Sequence, residues 1–242
     1  MSKPTPKTLS LILGSGGARG LAHIGVIRWL EENDYTIRSI AGCSIGALIG
    51  GIYAAGKLDE YEQWVRAIRK VDIITLLDLS WGRSGLVKGD KIINALIDLV
   101  GDQLIEDLPI QYTAVAADVK GQKEIWIKSG RLFDAIRASM SIPLLFTPFK
   151  YNGVDLIDGG VLNPVPVAAT IGDDTDMTIA VSLGGPAAIP EEPGSMDDVP
   201  ATSSSSSLFH EKINRFISRI QQSAMKSASR DWGGLRYRHS GL

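Results

Sequence analysis

The chain has 242 residues, 44 % hydrophobic and 21 % charged, a globular composition long enough for one large α/β domain and too short for two full-sized domains with linkers. Its net charge of -2 lacks the basic excess with which nucleic-acid binders neutralise phosphates, and its one cysteine, Cys43, excludes an internal disulfide and multi-cysteine metal sites. The apolar run Leu9 to Leu13, interrupted by Ser10, is too short for a signal-peptide core or a membrane span, so a cytoplasmic location is expected, one that leaves peripheral contact at the inner membrane surface open.

Leu9 to Leu13 reads as a buried strand, the glycine cluster Gly14 to Gly20 as a loop, and Leu21 to Glu32 as a helix with apolar residues at helical spacing. Ile37 to Ala41 and Ser44 to Ala55 repeat the strand-loop-helix pattern, and such alternation predicts a mainly parallel sheet covered by helices. Asp59 to Lys70 and Gly89 to Val100 read as amphipathic helices, with Asp90 near the start of the second. Between them, Leu76, Leu77, Leu79 and Trp81 within Ile73 to Leu86 fit either an apolar rim over a site or core followed by a turn.

Lys120-Gly121-Gln122 predicts a hairpin turn between apolar strands Ile110 to Val119 and Lys123 to Lys128. Leu132 to Ser139 is expected to be a helix that stops before Pro143, Phe149 to Ile157 a strand or a hairpin turning at Asn152-Gly153, and Met177 to Ser182 the last strand. This closes a domain over residues 1–183. Residues 184–207, rich in Pro, Gly, Asp and Ser, read as a flexible linker. In residues 208–242, Phe209, Ile213, Phe216, Ile217 and Ile220 share one helical face opposite Lys212, Arg215 and Arg219. This tail carries seven Lys/Arg against two acids, and its apolar face fits packing against protein or contact with anionic lipid.

Three segments carry chemistry. Gly42-Cys43-Ser44-Ile45-Gly46 is a GxSxG pattern between a predicted strand and a predicted helix, where a serine hydroxyl projects from a sharp turn and the flanking glycines Gly42 and Gly46 relieve crowding. The bland alternative is a serine serving as an N-cap. Gly14-Ser15-Gly16-Gly17-Ala18-Arg19-Gly20 presents backbone N–H groups suited to an anion, either a phosphate or the oxyanion of acyl transfer. Arg19 falls where a dinucleotide fingerprint starting at Gly14 needs its last glycine, and no Lys-Ser pair follows as in a P-loop. Asp158-Gly159-Gly160 ends a predicted strand, and alone it also fits a simple turn. A serine nucleophile needs a proton acceptor. Of three histidines, His23 lies within the apolar stretch of the first helix and His210 and His239 lie in the tail, so a direct Ser44–Asp158 pair is the easier arrangement than a Ser-His-Asp triad.

The glycine loop with its arginine, the GxSxG pattern and Asp-Gly-Gly, in this order over roughly residues 8 to 183, resemble the patatin-like phospholipase family. The stretch Ile136-Arg137-Ala138-Ser139-Met140-Ser141-Ile142-Pro143 and the residues Asn163 and Pro166 are similar to family segments as well. The resemblance implies a three-layer α/β/α sandwich with a mainly parallel central sheet, Ser44 as nucleophile and Asp158 as its dyad partner. It also implies an oxyanion hole around Gly16, Gly17, Ala18 and Arg19, a lipid ester as substrate, and no required metal or cofactor. Ser15 stands where the family's loop often has glycine, and a serine there is strained only if the position needs a positive φ. A reading of another class is a non-catalytic regulator that binds lipid or protein on the same fold.

Overall fold

The computed structural model describes residues 6–67, 89–143 and 145–185, all within the compact unit Met1–Gly185. The apolar stretch Ile73 to Leu86, the linker beyond Gly185 and the tail with His210 and His239 lie outside the described residues. In chain order the elements are β1 (Lys7–Leu13), α1 (Ala22–Glu32), β2 (Tyr35–Cys43), α2 (Ile45–Ala54), α3 (Leu58–Ala67) and α4 (Asp90–Val100). There follow β3 (Gln111–Asp118), β4 (Lys123–Ile127), α5 (Leu132–Ser139), β5 (Phe149–Tyr151), β6 (Val154–Asp158) and β7 (Met177–Val181). The first helix starts one residue later than its periodicity predicts because Gly17–Leu21 forms a 3-10 turn. The second strand is longer than expected at both ends.

The sheet is mixed. Its path runs β5-β6-β3-β2-β1-β7, with β4 paired to β3 off that path. Strands β7, β1, β2 and β3 are mutually parallel, and β4, β5 and β6 join antiparallel. Residues Leu9–Leu13 of β1 are buried without alternation, as expected for a strand covered on both faces. Sequentially adjacent parallel strands joined by right-handed crossovers put α1 and α2 on one face of the sheet. There the five helices of the described residues share a hydrophobic cluster with Leu9, Leu11, Leu13 and Ile40. The chain must cross to the other face to place β7 beside β1, and there Ala169, in a 3-10 turn Val167–Thr170, packs on Ala41, Cys43 and Val115.

Strand β3 organises the end of the sheet that matters for function. It pairs with β2 over Gln111–Val115, with β6 over Ala116–Asp118 and with β4 over Ala114–Asp118. A strand has two edges, and β4 overlaps both other partners, so β2 and β6 share the opposite edge in succession. Because β2 runs parallel to β3 and β6 antiparallel, their carboxyl ends meet head to head: Cys43 opposite Val115, Asp158 opposite Ala116.

Both expected hairpin turns form. Asp118 Oδ1 accepts the amides of Lys120 and Gly121 in the first. Asn152 and Gly153 hold φ of 48° and 82° in the second, the left-handed pair that a two-residue turn requires. A Cβ at Gly153 would meet nothing within 4 Å, and the same holds for Gly25, exposed in the middle of α1. The two glycines therefore separate conformation from packing. Gly153→Ala is expected to cost about 1–2 kcal/mol through its positive φ, and Gly25→Ala to stabilise by about 0.5–1 kcal/mol through helix propensity. Denaturant unfolding of the two variants checks both signs.

Candidate active site

Ser44 lies between the end of β2 and the first residue of α2, with φ 56° and ψ -128°, a conformation that costs a non-glycine residue energy and turns its side chain out of the sheet. The carbonyl of Ser44 accepts the amides of Ala47 and Leu48, which starts α2. The glycines beside it are there for close approach. A Cβ on Gly42 would stand 2.5 Å from the Gly46 carbonyl, and a Cβ on Gly46 would penetrate the backbone of Leu13 at the end of β1. Hence α2 begins in direct contact with the strand that leads into the glycine loop.

Asp158, at the end of β6, is 5 % exposed, as is Ser44. Burial raises its pKa to about 6, while hydrogen bonds from the Ser44 hydroxyl and from the Gly160 amide, the latter at 2.8 Å, pull it down. Its own amide donates to Ser141 O at 3.0 Å. Gly159 has no room for a side chain because a Cβ would overlap the Val115 carbonyl, and Gly160 packs on Ser15, whose Cβ and Oγ would lie 2.9 Å from an added Cβ. The Asp-Gly-Gly turn thereby touches both β3 and the glycine loop.

The glycine loop is tied down by the end of β7 and by the segment after Asp158. The Gly14 amide donates to Val181 O at 3.0 Å and the Ser15 amide to Pro164 O at 2.8 Å. Ser15 does not have a positive φ, so serine is unstrained where the family's loop often has glycine; the positive φ in this loop, 55°, is at Gly17. Gly16 is needed for another reason, since a Cβ there would press on the Leu183 side chain at 2.5 Å. The amides of Gly16, Gly17 and Ala18 precede the first internal bond of the 3-10 turn and have no acceptor among the described residues, whereas the Arg19 amide donates to Gly16 O at 3.2 Å. The Arg19 guanidinium is exposed and has no ion pair among the described residues.

His23 is wholly buried, and its Nε2 donates to Gly14 O at 2.8 Å. Its Nδ1 is buried without a partner, and burial lowers its pKa, so the ring is neutral with the proton on Nε2. Neither nitrogen is bonded to Ser44 or Asp158. Cys43 points to the far face, where its thiol donates to Pro164 O at 3.2 Å, and burial, with the Asp158 charge adding to it, pushes its pKa up.

Sequence reasoning used the stretch Ile136 to Pro143 only as a resemblance and missed what its polar residues hold. Ser139 Oγ, fully buried, accepts the Ser44 amide at 3.0 Å and donates to Val115 O at 2.7 Å. Arg137, 5 % exposed, donates through Nη1 to Ser141 Oγ at 2.8 Å and lies over the Phe146 and Phe149 rings. Three polar residues at alternate positions, where an amphipathic helix passes into a turn, were the available signal.

The raised pKa of Asp158 has a consequence for stability. Between its ordinary value of 3.8 and about 6 the folded chain holds a proton that the unfolded chain has lost. The contribution of this group is therefore complete below pH 3.8 and disappears as pH rises through about 6, a loss on the order of 3 kcal/mol. Asp158→Asn keeps an acceptor for Gly160 and removes the buried charge. Its stability relative to wild type is expected to improve by about that amount between pH 3.5 and pH 8, read from urea unfolding at each pH.

Residues 11–171 match the family model of patatin-like phospholipase. The chain is 49 % identical over 182 residues to an uncharacterised NTE family protein of Mycobacterium tuberculosis (strain ATCC 25618 / H37Rv), an alignment covering 75 % of this chain and 51 % of that protein. It is 31 % identical over 186 residues to the lysophospholipase NTE1 of Saccharomyces cerevisiae, covering 74 % of this chain and 11 % of the yeast protein. Among solved structures, VipD from Legionella pneumophila aligns with a TM-score of 0.47 at 19 % identity, covering 67 % of this chain and 47 % of that one. The chain thus spans about half the length of its mycobacterial relative and a far smaller share of the yeast protein. With the family model matched across the glycine loop, the Ser44 turn and Asp158, this chain belongs to the patatin-like phospholipase family.

Proposed function

We propose that the chain is a serine acyl hydrolase that cleaves carboxylic esters of phospholipids, lysophospholipids or related lipids through a Ser44–Asp158 dyad and an acyl-enzyme. The observation that carries this reading is the strained Ser44 turn facing a buried carboxylate whose pKa lies near 6. A serine hydroxyl is a weak nucleophile until a nearby base takes its proton, and a desolvated carboxylate is a stronger base than an exposed one.

In the acylation step Ser44 Oγ attacks the ester carbonyl and its proton passes to the Asp158 carboxylate. The negative oxygen of the tetrahedral intermediate is held by the amides of Gly16, Gly17 and Ala18, while the exposed Arg19 guanidinium adds positive charge beside them. As the intermediate collapses, the C–O bond of the ester breaks and the alcohol leaves with the proton from Asp158. Water, deprotonated by the same carboxylate, then attacks the acyl-enzyme, and fatty acid departs as Ser44 regains its proton. The name of the yeast relative, a lysophospholipase, favours lysophospholipids as the first substrates to test. Such substrates sit in or near membranes, so peripheral contact with a lipid surface is part of the proposal; no helix among the described residues is long and apolar enough to cross one.

A lipid-binding scaffold on the same fold is disfavoured by energetics. Strain at Ser44 and a buried charge at Asp158 each cost stability, and a purely binding protein would gain nothing from keeping both.

Hydrolysis of p-nitrophenyl esters and lysophospholipid by wild type, Ser44→Ala and Asp158→Asn tests the proposal. Both variants are expected to lose about 10³-fold or more of kcat, and unchanged activity in either would remove its assigned role. Because the base must be ionised, wild-type kcat/KM is expected to fall as pH drops through about 6. A profile flat down to pH 4 would exclude Asp158 as that base.

A further inference from the structure

We infer that Ser139 is the positioning residue of the Ser44 turn: its buried hydroxyl is inserted into the β2–β3 ladder as a relay that sets where the nucleophile stands. The inference rests on the proposed role of Ser44 and assigns a function to a segment that the mechanism itself does not use.

The ladder between β2 and β3 ends at Cys43 opposite Val115. In a parallel pair that continued, the next rung would run from the Ser44 amide to the Val115 carbonyl. Here Ser139 Oγ stands between those two groups, accepting from Ser44 at 3.0 Å and donating to Val115 at 2.7 Å. The chain can therefore peel away from β3 into the φ 56° turn while both backbone groups, deep in the interior, stay paired. The third element supplying that hydroxyl is α5, whose buried Ala135 and Ala138 let it approach the sheet closely.

The bonding choice of Ser139 separates this role from ordinary packing. A serine at or just past a helix's end can satisfy itself on the carbonyl four residues back. Ser141 does so, donating to Arg137 O at 2.9 Å. Ser139, two residues earlier and fully buried, instead reaches across to two other elements. The same short segment also holds the partner carboxylate, because Ser141 O accepts the Asp158 amide at 3.0 Å. Both members of the dyad are thus referenced to one rigid turn at the end of α5, and only the Ser44 connection depends on a side chain.

Removing that hydroxyl leaves the Gly160 and Ser141 bonds of Asp158 in place and loosens the nucleophile. Ser139→Ala is expected to lower kcat, and the rate at which a fluorophosphonate probe labels Ser44, by about 10- to 100-fold. KM stays within about twofold, and the acid limb moves upward from about 6 as the Ser44 hydroxyl donates less firmly to Asp158. Hydrogen exchange in peptides covering residues 43–48 becomes faster. Ser139→Cys, which retains a weak donor and acceptor in the same place, is expected to fall between the two and replaces the alanine variant if that one does not fold. Ser10→Ala is the control for destabilisation. It removes an equally buried hydroxyl, bonded to Asp173 and Thr175, from β1 away from the site, and should leave labelling within about twofold of wild type.

Labelling at Ser44 that is unchanged in folded Ser139→Ala, or reduced only as far as in Ser10→Ala, overturns the inference and leaves the proposed function standing. A wild type that fails to label at Ser44 overturns the catalytic reading, and the relay as a positioning device falls with it. Faster exchange in Ser139→Ala would then still show the hydroxyl's hold on the backbone.

Discussion

The site depends on a single junction in β3. Val115 and Ala116 are consecutive residues on one edge of that strand, and they receive the ends of two strands running toward each other. Since β2 must stop where β6 arrives, neither chain can continue straight, and each turns away from the sheet at its last residue. Those turns are Ser44 and Asp158-Gly159. The Val115 carbonyl sits in the gap, bonded by Ser139 Oγ and pressed by Gly159, which has no space for a Cβ. A parallel sheet of uninterrupted strands would deliver a serine turn but would leave nothing opposite it; the antiparallel return of β6 brings a carboxylate to the same point.

Around that junction the packing is backbone against backbone. Gly46 lies on Leu13, Gly42 on Gly46, and Gly14 on the carbonyls of Val181 and Pro164. Pro164 O is shared by the Ser15 amide and the Cys43 thiol, so the segment after Asp158 ties the glycine loop to the strand that carries Ser44. Contacts of this kind have little slack, because backbone atoms cannot change rotamer to relieve them. Strain at Ser44 is sustained in this way: the surroundings over-determine the turn.

Strand and helix existence was largely legible in the sequence, since Leu9–Leu13 is an apolar run bounded by a glycine loop and the two hairpin turns carry residues that tolerate positive φ. Asn152-Gly153 and Gly121-Gln122 were readable because turn chemistry is local. The mixed character of the sheet was only partly readable. A hairpin implied an antiparallel piece, but the pairing of β6 with β3 joins segments far apart in the chain and leaves no local mark. The glycines of the three motifs were found as pattern, while their cause, the carbonyls and side chains they abut, belongs to tertiary packing. The role of Ser139 was hidden for the same reason. On α5 it reads as a small polar residue in the last turn of an amphipathic helix, and only the approach of α5 to β3 gives its hydroxyl two partners on other elements.

On the proposed mechanism, a carboxylate works as base without a histidine only within a narrow range of environments. An exposed aspartate near 3.8 is too weak a base at neutral pH, and a carboxyl desolvated without compensation would remain protonated and accept nothing. Asp158 sits between these limits because burial raises it and two donors, the Ser44 hydroxyl and the Gly160 amide, hold it down. Those donors are set by the same contacts that build the rest of the site. The Ser44 turn is anchored through Ser139, and Gly160 is pressed on Ser15 at the start of the loop that offers its amides to the oxyanion. A change that displaces the glycine loop therefore also moves the Gly160 amide, which shifts the strength of the base along with the stabilisation of the intermediate. The two halves of the chemistry are coupled through Gly160 and Ser15.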